Sequence, residues 1–272
     1  MPYLTTSDST LLYYEESGEG KPLLFVHGWS LSSQIWTRQK EYFSSRYRCL
    51  AVDLRGHGRS NPSASGYGIE VLASDVSYFF DSLGLSDVTL FGWSLGALVA
   101  LAAYPSVRER LAGMVLVSAT SKYCSSAEYP YGLPEKEPRS LSLLLKRNPE
   151  KALDNFLRRM FIGQQESDRG FDDFEKDLLP LMPTPSAEVL VQVLQTLQTA
   201  DLRSVLSSIR EPALLLHGDR DVICPAAASQ YLEGQIAAAT RVILAGAGHA
   251  PMFSRPAEFN AAIESFLKNI YG

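Results

Sequence analysis

The chain has 272 residues, 46% of them hydrophobic, and carries 25 lysines and arginines against 30 aspartates and glutamates, a net charge of −5. That length and apolar content suffice for one α/β core plus an insertion, and the acidic balance gives no overall support to a nucleic-acid-binding role. No run approaches the roughly 18 to 20 consecutive apolar residues that span a bilayer.

Leu11-Leu12-Tyr13-Tyr14-Glu15 and the residues before it read as an opening hairpin, closed by Gly18-Glu19-Gly20. Pro22-Leu23-Leu24-Phe25-Val26 is a continuous apolar run, the pattern of a strand buried on both faces, and it runs into His27-Gly28-Trp29-Ser30. A helix is expected from Ile35 to Phe43 and a strand from Arg48 to Val52. Apolar residues at helical spacing run from Ile69 to Leu83, with Gly84 as the stop. Val88-Thr89-Leu90-Phe91 then leads as a strand into Gly92-Trp93-Ser94-Leu95-Gly96, and a small-residue helix over 97–103 leaves it. Ala112 to Val117 is the next strand, and Ala213 to Leu216 the one after. Strands alternating with helices argue for a parallel sheet with crossover helices.

The segment between those last two strands has another texture, with several prolines and helical patterns at 139–147, 149–162 and 186–199. It is too long for a loop. We expect residues 121–201 to form a helical cap inserted in a core built from residues 1–120 and 202–272.

The pentapeptide around Ser94 carries the chemistry. A G-x-S-x-G on a sharp strand-to-helix turn holds a serine hydroxyl out at the C-terminal edge of the sheet, and flanking side chains would collide with the neighbouring strand and helix. A hydroxyl needs a base near neutral pH. Of His27, His57, His217 and His249, the base is expected to be His249, which follows the strand Arg241 to Leu244 in the loop Gly246-Ala247-Gly248-His249-Ala250-Pro251, just before the last helix. His27 and His217 each end a strand in a His-Gly step and are expected to shape turns. His57 falls in a structural loop, Asp53-Leu54-Arg55-Gly56-His57-Gly58-Arg59-Ser60. The residue that orients the base is Asp221, at the turn ahead of Val222-Ile223-Cys224-Pro225, rather than Asp219, which suits a cap or a pair with Arg220. Two backbone N–H groups for an oxyanion are expected from Leu95, at a helix N-terminus, and from Trp29. Trp29 and Trp93 are expected to wall an acyl pocket, with Tyr123, Met160 and Phe161 as further lining; ordinary core packing is the alternative for each.

With these residues the chain resembles the α/β-hydrolase superfamily over nearly its whole length, and within it the pimeloyl-acyl-carrier-protein methyl ester esterases of biotin synthesis. His27-Gly28-Trp29, Gly92-Trp93-Ser94-Leu95-Gly96, Cys124-Ser125-Ser126-Ala127-Glu128-Tyr129-Pro130, Asp201-Leu202-Arg203 and His249-Ala250-Pro251 carry the likeness; Ala97, where that family has glycine, departs from it. The resemblance implies an α/β-hydrolase fold and a serine carboxylesterase that cleaves a methyl ester on a carrier-bound dicarboxylate. Arg139, Lys146, Arg147, Lys151, Arg158 and Arg159, against only Glu150 and Asp154 over that span, then become a candidate docking face for an acidic acyl-carrier protein. The competing reading is a solvated helix face with an Asp154–Arg158 pair.

Two rivals stand beside it. One is a general carboxylesterase or enol-lactone hydrolase for small soluble esters; the other is a ligand-binding protein of the same fold without useful turnover. Nothing in the sequence calls for a metal or cofactor. Cys49, Cys124 and Cys224 lack metal-ligand spacing, and Met1 to Thr6 lacks a basic stretch followed by an apolar run, so reduced thiols in a cytoplasmic protein are expected unless a leader has been removed.

Overall fold

The computed structural model of the protein describes residues 3–162 and 170–272. Strands β1 (Tyr3–Thr5), β2 (Leu11–Ser17), β3 (Pro22–Val26), β4 (Arg48–Val52), β5 (Val88–Trp93), β6 (Leu111–Val117), β7 (Ala213–Gly218) and β8 (Ala239–Leu244) form an eight-stranded sheet in the order β1-β2-β4-β3-β5-β6-β7-β8. β2 runs antiparallel to both β1 and β4, and the pairings from β4 through β8 are parallel. Every residue of β3, β5 and β7 is buried, as central parallel strands covered on both faces require.

The opening hairpin differs from expectation in where it turns. Thr6 N–H bonds Thr10 O at 3.0 Å, and Thr10 N–H bonds Asp8 Oδ1 at 3.3 Å, so short polar side chains close the turn between β1 and β2. Gly18-Glu19-Gly20 instead carries the chain from β2 into β3.

The helices are α1 (Thr37–Phe43), α2 (Ile69–Ser82), α3 (Leu95–Val107), α4 (Lys136–Arg147), α5 (Pro149–Arg159), α6 (Gly170–Asp173), α7 (Ala187–Thr199), α8 (Arg203–Leu206), α9 (Ala226–Gln235), α10 (Pro251–Ser254) and α11 (Pro256–Tyr271). A 3-10 turn over Ser33–Trp36 precedes α1, because the Ser33 N–H is drawn to Asp53 Oδ1 at 2.6 Å. Small side chains let α3 bury almost all of its surface beside α2 and β5. Asn148 caps α5 by accepting from Lys151 N–H at 3.0 Å, with Pro149 in the first turn.

Between β6 and β7 the chain leaves and returns at one place. Leu202 N–H bonds Ser121 O at 2.8 Å, and Lys122 pairs with Asp201 at 3.3 Å. Within this segment α4 packs on both α5 and α7. Residues 163–169, which fall inside the expected 121–201 cap, lie outside the described residues. Among the described residues no helix is long and apolar enough to cross a membrane.

Candidate active site

β3, β5, β7 and β8 are parallel neighbours or near neighbours, so the loops after them open on the same edge of the sheet. Those four loops hold Trp29, Ser94, Asp221 and His249. Ser94 stands between β5 and α3 with φ 55° and ψ −114°, a left-handed conformation that a serine adopts only where its surroundings enforce it. The enforcement is visible in the flanking glycines. A Cβ on Gly96 would run into Val26 O and lie 2.7 Å from His27 O, and one on Gly92 would strike Gly96 O and lie 2.7 Å from Ala97 Cα. β3, β5 and α3 therefore approach at backbone contact, and the turn between them has no room to relax.

His249 and Asp221 meet across two loops. His249 Nδ1 donates to Asp221 Oδ2 at 2.8 Å, with both side chains about 1% exposed or less. That bond puts the proton on Nδ1 and leaves Nε2 as a bare lone pair, which is buried and has no hydrogen-bond partner among the described residues. His57 Nε2 and His217 Nδ1 are likewise buried without a partner among the described residues; what sets His249 apart is its bond to the Asp221 carboxylate at the sheet edge that carries Ser94, the arrangement a base for a hydroxyl proton requires. The loop is pinned from three sides. Trp93 Nε1–H and Ser118 Oγ–H both donate to His249 O, at 2.8 and 2.9 Å, and His249 N–H donates to Met160 O at 2.8 Å. Because Trp93 precedes Ser94, the base loop is fastened directly to the nucleophile turn.

Asp221 is saturated with donors. Oδ1 accepts the N–H groups of Ile223 and Cys224, each at 2.8 Å. Burial alone would push this carboxyl up, but attraction to His249 when that imidazole is protonated, with hydrogen bonds from His217 and His249, holds it well below the usual carboxylate range. Asp219 neither replaces it nor merely caps the turn: its Oδ1 accepts Gly246 N–H at 2.7 Å, tying the acid loop to the base loop.

The two expected oxyanion donors are unengaged. Among the described residues, neither the Trp29 N–H nor the Leu95 N–H bonds an acceptor. Leu95 opens α3, whose dipole favours negative charge at that point. The Trp29 peptide is held by its other end. Leu54 N–H donates to His27 Nε2 at 2.9 Å, so the His27 proton sits on Nδ1 and is given to Gly28 O at 2.7 Å. Burial pushes His27 down to about 4, and burial together with neighbouring His27 pushes His57 down to about 3. Both are uncharged structural groups at neutral pH. In the loop of His57, Asp53 accepts Ser33 and Arg59 N–H groups, and Arg55 grips Asp75 with two bonds of 2.6 and 2.7 Å.

The expected pocket residues divide. The Trp29 indole donates to Leu190 O on α7 at 3.1 Å, and its ring meets Phe156 of α5 edge-on at 4.7 Å. The Trp93 ring lies 5.4 Å from that of His249. Tyr123 is buried, and burial pushes its phenol up. Met160 is fully buried and reaches the site through its carbonyl. Phe161 joins an aromatic cluster with Phe171, Phe174 and Phe253.

The basic residues divide too. Arg139, Lys146, Arg147 and Lys151 are exposed and have no ion-pair partner among the described residues. Arg158 pairs with Asp154 at 2.9 Å and Glu175 at 3.4 Å, and Arg159 pairs with Glu137 at 2.7 Å while reaching Val222 O at 3.4 Å. Between α4 and α5 runs a cleft of about 500 Å³, lined by Leu141, Leu144, Phe156, Arg158 and Arg159 among others.

One residue carries more than its motif suggested. His217, fully buried at the end of β7, donates from Nε2 to Cys224 O at 2.7 Å, and the same nitrogen lies 3.3 Å from Asp221 Oδ2. The signal was present as the i, i+4 spacing of His217 and Asp221, but only the curl of the loop turns that spacing into contact.

Comparison with known proteins gives the family. The model of the "Alpha/beta hydrolase family" matches residues 23–262. A pimeloyl-[acyl-carrier protein] methyl ester esterase from Nitrosomonas europaea is 32% identical over 254 residues, covering 93% of this chain and 98% of that protein. An esterase from Exiguobacterium antarcticum superposes with a TM-score of 0.90 at 26% identity, covering 98% of each chain. The enol-lactonase from Burkholderia xenovorans LB400 does so at 0.82 and 25%, covering 98% of this chain and all of that one. By its fold and its relatives, the chain belongs to the alpha/beta hydrolase family, among the serine carboxylic ester hydrolases.

Proposed function

We propose that the protein hydrolyses the methyl ester of a pimeloyl chain carried on acyl-carrier protein, a step of biotin synthesis in the cytoplasm, through an acyl-enzyme on Ser94. His249 Nε2 takes the Ser94 proton as Oγ attacks the ester carbonyl. Asp221 holds the imidazole by Nδ1 and stabilises its charge. The Trp29 and Leu95 N–H groups receive the oxyanion, worth on the order of a hundredfold or more in rate each. His249 returns the proton to departing methanol, then draws one from water, whose oxygen attacks the acyl-enzyme and frees the acid. Residues 121–201 serve as a helical cap: α5 and α7 supply the contacts to Trp29, and the turn after α5 supplies the one to His249.

The 2.8 Å bond from His249 Nδ1 to Asp221 Oδ2, which leaves Nε2 free to take a proton, is the observation that carries the mechanism. For the substrate, support comes from the named relatives and from Arg139, Lys146, Arg147 and Lys151, cations without an ion-pair partner among the described residues on a protein of net charge −5. Arg158 and Arg159, engaged by carboxylates of the protein itself, contribute less to such a face. The likeness to an enol-lactonase, with that internal pairing, favours the second reading, a general esterase or lactonase for small soluble esters.

The deciding experiment compares kcat/KM for pimeloyl-carrier-protein methyl ester with that for p-nitrophenyl acetate. Under our reading the carrier substrate is preferred, and Lys146→Glu with Lys151→Glu lowers that preference at least tenfold. Equal use of both esters, with a ratio indifferent to charge reversal, gives the second reading.

A further inference from the structure

We propose that His217 is a positioning residue for the acid of the triad: its Nε2–H fixes the loop that presents Asp221 and shares Asp221 Oδ2 with His249, so that His217 sets how strongly Asp221 supports the base. This rests on the assignment of His249 as base and Asp221 as its partner.

The geometry fixes the tautomer of His217. Nε2 faces a carbonyl, Cys224 O, at 2.7 Å, and so must carry a proton; Nδ1 is buried with no partner among the described residues, where a second proton would have no acceptor. The N–H bond is aimed at Cys224 O, and its positive end also lies 3.3 Å from Asp221 Oδ2. The bond to Cys224 O closes the turn 221–224, the same turn whose Ile223 and Cys224 N–H groups hold Oδ1. His217 thereby acts on the carboxylate twice, by orienting two of its donors and by presenting a dipole to the oxygen that His249 uses.

A carboxylate that loses one such dipole is more negative toward its remaining partner. It holds a protonated His249 more tightly, and a base held protonated needs a higher pH to become active. Other titratable groups face the couple from each neighbouring element. In the acid loop, Cys224 is uncharged because burial raises its thiol, and Asp219 is held by Gly246 N–H. Tyr123, after β6, is uncharged for the same reason as Cys224. Arg159 of α5 is paired with Glu137, Arg220 precedes Asp221 in the loop, and His217 Nε2 lies 3.3 Å from Oδ2 itself.

The test is the pH profile of kcat/KM for p-nitrophenyl acetate in the full-length enzyme. His217→Leu removes the donor: its acid limb moves to higher pH by about half a unit or more, and kcat falls roughly tenfold. His217→Gln, whose amide nitrogen reaches about where Nε2 stands, restores the limb. An unmoved limb in His217→Leu, or a limb that Gln does not restore, overturns the proposal. Should the Leu variant not fold, imidazole ¹⁵N resonances of the wild type at pH 8 decide: a proton on Nε2 of His217 supports the proposal, and one on Nδ1 overturns it. His249→Ala is assayed alongside. Retained turnover there overturns the triad and this proposal with it, whereas lost turnover beside an unmoved His217→Leu limb overturns this proposal alone.

Discussion

At the scale of single residues, three side chains with ordinary chemistry are made unusual by where they are held. Ser94 is forced to φ 55° at a turn with no space to relax, His249 is left with a bare buried nitrogen, and Asp221 is kept ionised against its own burial. Ser94→Ala should therefore abolish turnover, by about 10⁴-fold or more, while leaving the fold intact; near-wild-type hydrolysis by purified, folded variant would remove Ser94 from the mechanism. Asp221→Asn should cost about 10³- to 10⁴-fold in kcat, because an amide in place of the carboxylate no longer selects the Nδ1–H tautomer. The turns that hold Ser94, His249 and Asp221 at one sheet edge were legible in the sequence because each has its own local pattern. The part of His217 was not, since a His-Gly step after a strand reads as a turn until the loop is seen to close on Cys224 O.

At the scale of elements, the site depends on how closely β3, β5 and α3 approach. Gly96→Ala would press a methyl group on Val26 O and His27 O, backbone atoms that cannot swing away. The variant should lose about 1–3 kcal/mol of stability, as overpacked cores do, and should also lose kcat, because the displaced strand end carries the Trp29 N–H. Urea unfolding and steady-state kinetics on the same preparation would reveal it; a stable, fully active variant would mean the strand and helix are looser than the contacts indicate. Trp93→Phe is gentler. It removes one of two donors to His249 O and should cost about 1 kcal/mol, with a fall in kcat that Ser118 limits. Helix and strand positions were predicted well wherever periodicity was long, as in α2 and α7. The misplaced hairpin turn and the 3-10 entry to α1 arose from side-chain bonds, by Asp8 and Asp53, that periodicity does not register.

At the scale of the whole molecule, buried uncharged histidines make stability depend on pH. His27 and His57 have folded values near 4 and 3, below the value of about 6.5 they take when unfolded. Between those limits the unfolded chain binds protons that the native state refuses, so their contribution is complete above pH 6.5 and is lost as pH falls. At pH 5 this amounts to about 2 kcal/mol for each histidine, taken as an upper bound because the two face one another. Asp221 acts in a lower window, contributing above the unfolded carboxylate value and failing only as pH drops through its depressed folded one. The melting temperature should thus fall from pH 7 to pH 5 by roughly 4 °C or more. His57→Asn, which keeps a donor for Arg55 O but cannot titrate, should flatten that slope; an unchanged slope would place the proton uptake elsewhere.

By itself the sequence determined the α/β alternation and the turns that carry Ser94, Asp221 and His249, because each depends on residues adjacent along the chain. Periodicity and local turn chemistry act over a few residues, and they are written there. Only the tertiary structure decided what requires residues far apart to meet: that Trp93 and Met160 bind the His249 loop, that Asp219 ties it to the Asp221 loop, and that Arg158 and Arg159 are engaged by Glu175 and Glu137 while their basic neighbours have no ion-pair partner among the described residues. Such contacts are set by the packing of helices on the sheet, and no pattern in a linear stretch encodes which charge will lie opposite which.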